Sequence, residues 1–295
     1  MSRIISLITW YNPSKSSYDN MLRIASQSDM VYICDNSIDS HKYAISGIEK
    51  CCYIHRGENM GISLAFNTVL KDSCYGWQPD DFIIFFDQDS VIDKLHIQKL
   101  VQEYINISKQ GISVGCIGPI YYDINEKKNK IPKNRKYINE NSFICTNIIT
   151  SSMLCRYDTI KKIGFFNEHI FLDLADWDLC WRLKYIGKKV CMTGVSILKH
   201  SVGNGVYKIG VLRLHVGNAF REYYQIRDSL KLILREYVPI KYKVLFMLML
   251  FIRTPLHVLF LPNGKQRLFY VLKGIIDYSK NIDGELDSNC KQISL

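Results

Sequence analysis

Over the first 120 residues, apolar runs of strand length alternate with stretches of helical length. Ile4–Thr9 is a short apolar run that ends in Tyr11, Asn12 and Pro13, a strand followed by a turn. A helix is expected over 16–27. Met30–Cys34 is a second strand, closed by Asp35, Asn36 and Ser37, whose side chains favour turns and caps. Cys52–Ile54 is a weaker third strand, and a helical stretch opens at Asn59 and Gly61 and runs through Asn67 to Leu70. Phe82–Phe86 is apolar without a break, as a buried parallel strand is, and ends abruptly in Asp87, Gln88 and Asp89. A helix over 94–108 and a strand over 113–118 follow. The polar, lysine-rich segment 123–141 is expected to be an exposed loop.

This alternation predicts an α/β fold with a doubly wound, mostly parallel sheet. Ligands of such sheets gather at the carboxyl ends of the strands, where Asn12, Asp35 and Asp87 fall. The α/β unit is expected over 1–205 and a helical, basic extension over 206–295.

Composition adds exclusions. Of 295 residues, 47% are hydrophobic and 22% charged, which rules out a disordered or fibrous chain. Ten cysteines show no metal-type spacing, so they are expected to be reduced and mostly buried. Met1–Thr9 lacks the apolar core and cleavage site of a secretory signal, and a cytosolic compartment is expected. No GxGxxG pattern points to a nicotinamide enzyme.

Charge is uneven. Of the net charge of +10, residues 1–200 carry +3, whereas 201–280 hold 13 basic and 4 acidic side chains. An anionic partner is implied: nucleic acid, a phospholipid surface or a phosphate-bearing substrate. The neighbouring apolar residues favour the lipid surface. Val244–Ile252 is apolar throughout and Leu256–Leu261 nearly so, but Arg253 lies between them and Pro255 should interrupt a helix. An arginine at a bilayer centre costs roughly 2.5–3.5 kcal/mol, so the segment is read as lying on a membrane surface, with Lys241, Lys243, Arg253, Lys265, Arg267 and Lys273 near anionic head groups. A buried core or dimer helix is the alternative. A nucleic-acid module lacks any known motif here.

The candidate chemistry lies in carboxylates. Asp87 and Asp89, two residues apart after a buried strand, repel one another unless something offsets the charge. A divalent cation does so, and hard oxygen ligands suit magnesium or manganese. A second cluster holds Asp173, Asp176 and Asp178. Asp178 and Arg182 are spaced to pair on one helix face, a structural role. Asp176 starts the same predicted helix, where backbone N–H groups orient a carboxylate, and is the better candidate for a general base. Asp173 reads as a supporting group or loop cap. His200, just after an apolar run, is a candidate to complete a metal shell.

In this order these residues resemble glycosyltransferase family 2, inverting enzymes of the GT-A fold, and within it bacterial rhamnosyltransferases of polysaccharide and O-antigen (lipopolysaccharide) assembly. The resemblance covers about residues 4–230. It rests on Thr9–Pro13, Asp35–Ser37, Asn59 with Gly61, Ala65 and Asn67, Asp87 with Asp89, Phe171 with Asp173 and Asp176, His200 with Gly203, and Arg221 with Tyr224 and Arg227. It implies donor binding by Asn12, Asp35, Asn59, Asn67, Asp87 and Asp89, with Asp35 on the base or ribose. It implies a Mg2+ or Mn2+ ion on the DxD motif of Asp87 and Asp89 and on His200, with Asp176 as base. Asp173, Trp177, Arg221, Tyr224 and Arg227 fall on the acceptor or diphosphate side. Two departures are visible: Ala175 stands where many members have Glu, and Asp228 where many have Asn.

The implied reaction moves a sugar, L-rhamnose from dTDP-L-rhamnose first among candidates, to a polyprenyl-diphosphate-linked glycan. Its place would be the cytoplasmic face of the inner membrane. UDP-hexose or UDP-galactofuranose donors are the alternatives, and a homo-oligomer stays open. Asp87, Gln88 and Asp89 also fit the motif of haloacid-dehalogenase-like phosphohydrolases, but that family carries it on its first strand.

Overall fold

A computed structural model describes residues 2–200, 206–209, 212–215, 217–287 and 290, with the backbone alone for 200, 206–209 and 212–215. The first half alternates as the apolar pattern predicts: β1 (Ile4–Trp10), α1 (Lys15–Ala25), β2 (Met30–Asp35), β3 (Cys51–His55), α2 (Gly61–Leu70), β4 (Phe82–Asp87), α3 (His96–Lys109) and β5 (Val114–Asp123). Four short strands follow, β6 (Lys128–Lys130), β7 (Lys136–Tyr137), β8 (Ser142–Cys145) and β9 (Met153–Arg156), then α4 (Tyr157–Lys162), α5 (Ala175–Tyr185) and β10 (Lys189–His200). A small hairpin, β11 (Val206–Ile209) and β12 (Leu212–His215), leads to α6 (Arg221–Ile233), α7 (Ile240–Leu248), α8 (Thr254–Phe260) and α9 (Gly264–Ser279).

The main sheet runs β3-β2-β1-β4-β9-β5-β10-β8-β7, with β6 on β5. β1 to β4 pair in parallel, as do β5 and β10, while β9 is antiparallel between β4 and β5. Alternate side chains of one strand feed opposite cores. Leu7 and Phe85 pack with Phe66 and Trp181 on one face; Ile8 and Phe86 pack with Ile24 and Leu100 on the other. All ten cysteines are free, six of them buried.

Two expectations need correction. Segment 123–141 is not a plain loop: β6 and β7 add short edge strands to the sheet, and Lys130 is tied to Asp123 and Glu126. Nor does Pro255 break the C-terminal helix. Ile240–Phe260 is one continuous 21-residue helix in which a π turn, Met249–Arg253, absorbs the donor missing at proline. That helix is long and apolar enough to cross a membrane, and most of its apolar length is not buried. Tyr242 and Phe246 nevertheless anchor it in the core, against Trp181.

Candidate active site

The strand register brings three carboxyl ends together: Trp10 lies opposite Asp35 and Thr9 opposite Asp87. Gln88, the middle residue of the acidic motif, clasps the end of β1, accepting from the Tyr11 N–H at 2.8 Å and donating to the Tyr11 carbonyl at 3.2 Å. The chain then turns at Asn12 (φ +48°), whose N–H donates to Ser37 Oγ at 2.7 Å. Asp87, Thr9, Tyr11, Asn36, Asn59 and Gly61 share a cavity of about 250 Å³. Asp89 sits exposed in the turn beyond β4.

Asp35 is fully buried and its oxygens accept from the Ser37 N–H at 2.9 Å, Tyr53 Oη at 2.6 Å and His41 Nδ1 at 2.9 Å. Burial works to raise its pKa, but these bonds outweigh it and hold the carboxylate below its ordinary value. Asn59 faces the cavity and caps Gly61 N–H at 3.1 Å, while its amide donates to Glu285 at 3.0 Å. Asn67 lies elsewhere. It is fully buried and spends its amide on Phe166, both N–H and carbonyl, and on Glu168, so the structure uses it to tie α2 to the 166–168 loop.

The loop before α5 divides two cavities. Phe171 and Leu172 line the first with Asp87; Asp173, Leu174 and Asp176 line a second, of about 590 Å³, whose far wall is the 240–260 helix. The loop is clamped from both sides. Ile62 N–H donates to the Phe171 carbonyl at 2.9 Å, and Phe171 N–H donates to Asp228 at 3.1 Å. The Phe171 ring stacks on Tyr224 at 4.6 Å. Gly61, at φ +73°, is obligatory, since a Cβ there would stand 2.4 Å from the Phe171 carbonyl oxygen. Leu174 adopts φ +73° directly before Ala175 and Asp176, a conformation costing a non-glycine residue about 1–3 kcal/mol.

Asp176 is half-buried in the first turn of α5 and accepts from the Trp177 N–H at 2.8 Å. Burial pushes its carboxyl up to about 7, and the negative charges of Asp173 and Asp87 push the same way against that bond. Asp87 and Asp176, on separate elements, therefore share one electrostatic site. Asp173 pairs with Arg221 and accepts from Gln225 Nε2 at 3.1 Å. Gln225, one turn after Arg221, also accepts from Arg253 Nη2 at 2.5 Å. Spacing from Arg221 was the only sign of Gln225 in the sequence. Asp178 has the structural role expected, buried between Arg182 at 2.7 Å and Tyr237 at 2.7 Å.

The 220s split between cleft and core. Tyr224 and Trp177 each line a cavity. Arg227 does not: it is fully buried, pairs with Asp228 at 2.7 Å and donates to Tyr223 Oη and the Gly284 carbonyl. The structure thus places it on the inward face of α6, and breaking such a buried pair costs about 3–5 kcal/mol. The His200 side chain and Gly203 lie outside the described residues.

Among the described residues no three His, Cys, Asp or Glu side chains cluster as a metal cage. The donors present suit a hard dication bound through few carboxylates, as magnesium is when substrate phosphates supply other ligands. Asp87 and Asp89 are the side chains that would hold it.

Comparison with known proteins decides the family. The profile of Glycosyl transferase family 2 matches residues 11–164, more than half of the chain. The chain belongs to this family. It is a glycosyltransferase, 27% identical over 241 residues to "dTDP-rhamnosyl transferase RfbF" of Shigella flexneri, an alignment spanning 77% of this chain and 79% of that one. The fold of this family 2 member is GT-A. S. aureus TarS 1–349, solved with UDP-GlcNAc, superposes with a TM-score of 0.57 at 14% identity, covering 94% of this chain and 80% of TarS 1–349. GalNAc-T7, solved with UDP, GalNAc and Mn2+, gives a TM-score of 0.55 at 11% identity over 83% of this chain; the match spans 54% of GalNAc-T7. The acidic motif sits on the fourth strand, not the first, which also removes the phosphohydrolase reading.

Proposed function

We propose that this glycosyltransferase transfers L-rhamnose from dTDP-L-rhamnose, with inversion, to a hydroxyl of a polyprenyl-diphosphate-linked glycan. The observation that carries the reading is the position of Asp176: a carboxyl raised to about 7, in the first turn of α5 at the end of a loop whose two halves face two cavities, with Asp87 among the charges acting on it. The cavity with Asp87 takes the donor and the one with Asp176 the acceptor. Asp176 accepts the proton of the attacking hydroxyl, and a base near neutrality contributes on the order of 10²–10⁴-fold. Asp173 and Arg221 hold the loop that presents it, and Tyr224 supports Phe171 between the cavities. Asp87 and Asp89 hold Mg2+ or Mn2+, with His200 as a further ligand; when bound, that ion stabilises charge on the departing diphosphate. Asn12 and Asn59 border the donor, and Asp35, locked by its own partners, shapes the nucleotide end.

The rhamnosyl donor rests on the likeness to RfbF. A UDP-sugar is the second reading, favoured by the UDP-GlcNAc complex of TarS. The amphiphilic helix 240–260, anchored on one side and apolar on the other, supports residence on the cytoplasmic face of the inner membrane. A screen of dTDP-, UDP- and GDP-sugars with and without Mn2+ tests the reading. It expects turnover of dTDP-L-rhamnose that EDTA abolishes; equal turnover in EDTA, or consumption of UDP-sugars alone, contradicts it.

A further inference from the structure

The second cavity joins two chemistries. One wall is polar and carries Asp173, Asp176 and Gln225. The other is hydrocarbon: Leu245, Leu248, Met249, Ile252 and Leu256 fall on one face of the 240–260 helix. Burying such residues under a neighbouring element is the usual outcome, yet Leu245, Leu248 and Ile252 stay 42%, 47% and 54% exposed. A free glycan would gain little from five aliphatic side chains, and a plain lipid would have no use for two carboxylates. An amphiphile with a hydroxylated head and a hydrocarbon chain satisfies both walls. Arg253, which borders the same cavity and pairs with Glu222 at 3.1 Å, is the positive charge there that could meet an anionic link between head and chain.

Resting on the lipid-linked acceptor proposed above, we infer that this cavity holds the isoprenyl end of that acceptor, so that the hydroxyl glycosylated lies on a sugar next to the lipid diphosphate. The argument is one of adjacency. At about 590 Å³ the cavity is within the range of single-ligand pockets, and its hydrocarbon wall and Asp176 border the same space, so a lipid on that wall sets its first sugar beside the base. The bond formed joins the acceptor oxygen to the donor's anomeric carbon, the bond broken joins that carbon to the diphosphate, and the acceptor proton passes to Asp176. The enzyme then acts early in glycan growth, directly after a step that loads a first sugar onto the lipid carrier.

The test is binding to the full chain with dTDP saturating the donor site, read by calorimetry. Farnesyl diphosphate should bind at least tenfold more tightly than isopentenyl diphosphate, and Leu248→Trp with Ile252→Trp should erase the difference. Equal affinity of the two probes for the wild-type protein overturns the inference without any variant. A preference that survives both substitutions overturns it too. Displacement of farnesyl diphosphate by isoprenoid-free phospholipid vesicles would assign the cavity to bilayer chains. Its loss on dimer formation would assign the cavity to a second copy, and either result overturns the inference. In turnover, glucosyl, galactosyl or N-acetylglucosaminyl farnesyl diphosphate should show at least a tenfold lower KM than the matching methyl glycoside; equal KM values contradict the site. Rhamnose transfer that persists without any farnesyl preference rejects this site alone, whereas absence of dTDP-rhamnose turnover rejects the proposed function.

Discussion

Asp176 shows how one side chain takes its properties from its surroundings. Its spacing from Phe171 and Asp173 was visible in the sequence, but its titration depends first on burial, then on the Trp177 N–H and on the charges of Asp173 and of Asp87 from β4. A base must be unprotonated, and burial holds this carboxyl near 7 instead of its ordinary 3.8. Activity at saturating donor should therefore rise with pH through about 7, with a dication on Asp87 and Asp89 moving that limb lower. A kcat/KM profile flat from pH 5 to 8 would contradict the assignment. Other residues show where side-chain type misleads. Asn67 and Arg227 carry groups suited to ligands, yet both are spent on the chain's own polar atoms. Residue type does not reveal phase: Arg221 and Gln225, four apart, reach Asp173, whereas Arg227 turns inward between Tyr223 and Gly284.

At the scale of elements, the parallel strands were legible because Phe82–Phe86 and its neighbours are buried on both faces and read as unbroken apolar runs. β9 was not. Its four residues are too short to show a period, and its place between β4 and β5 is set by long-range pairing. The C-terminal helix failed for a different reason: a proline predicts a break, but the π turn spanning Met249–Arg253 lets the helix continue. The site's geometry depends most on the contact between α2 and the loop before α5. Gly61→Ala should cost about 1–3 kcal/mol through its left-handed backbone alone. It should also displace Phe171, lowering kcat/KM beyond the loss in stability. Urea denaturation read alongside kinetics checks this, and unchanged values for both would show that the contact is dispensable.

For the whole molecule, the uneven charge and the exposed apolar helix give the protein a face unlike the rest. Residues 201–280 hold 13 basic side chains, of which Arg227 and Arg267 are buried, and include a helix that leaves Phe251 and Leu259 66% and 73% exposed. Flotation with anionic vesicles should recover the protein at low salt, and Phe251→Ser with Leu259→Ser should reduce recovery severalfold; failure of the wild-type protein to float would remove the membrane from the account. The structure sets two cavities on either side of a loop that runs into Asp176, the proposed base. Asp176→Asn tests it most directly, by transfer from dTDP-L-rhamnose measured beside donor affinity. The account predicts a rate lower by about 10²–10⁴-fold with donor binding kept. Transfer within a few-fold of the wild-type rate would contradict it.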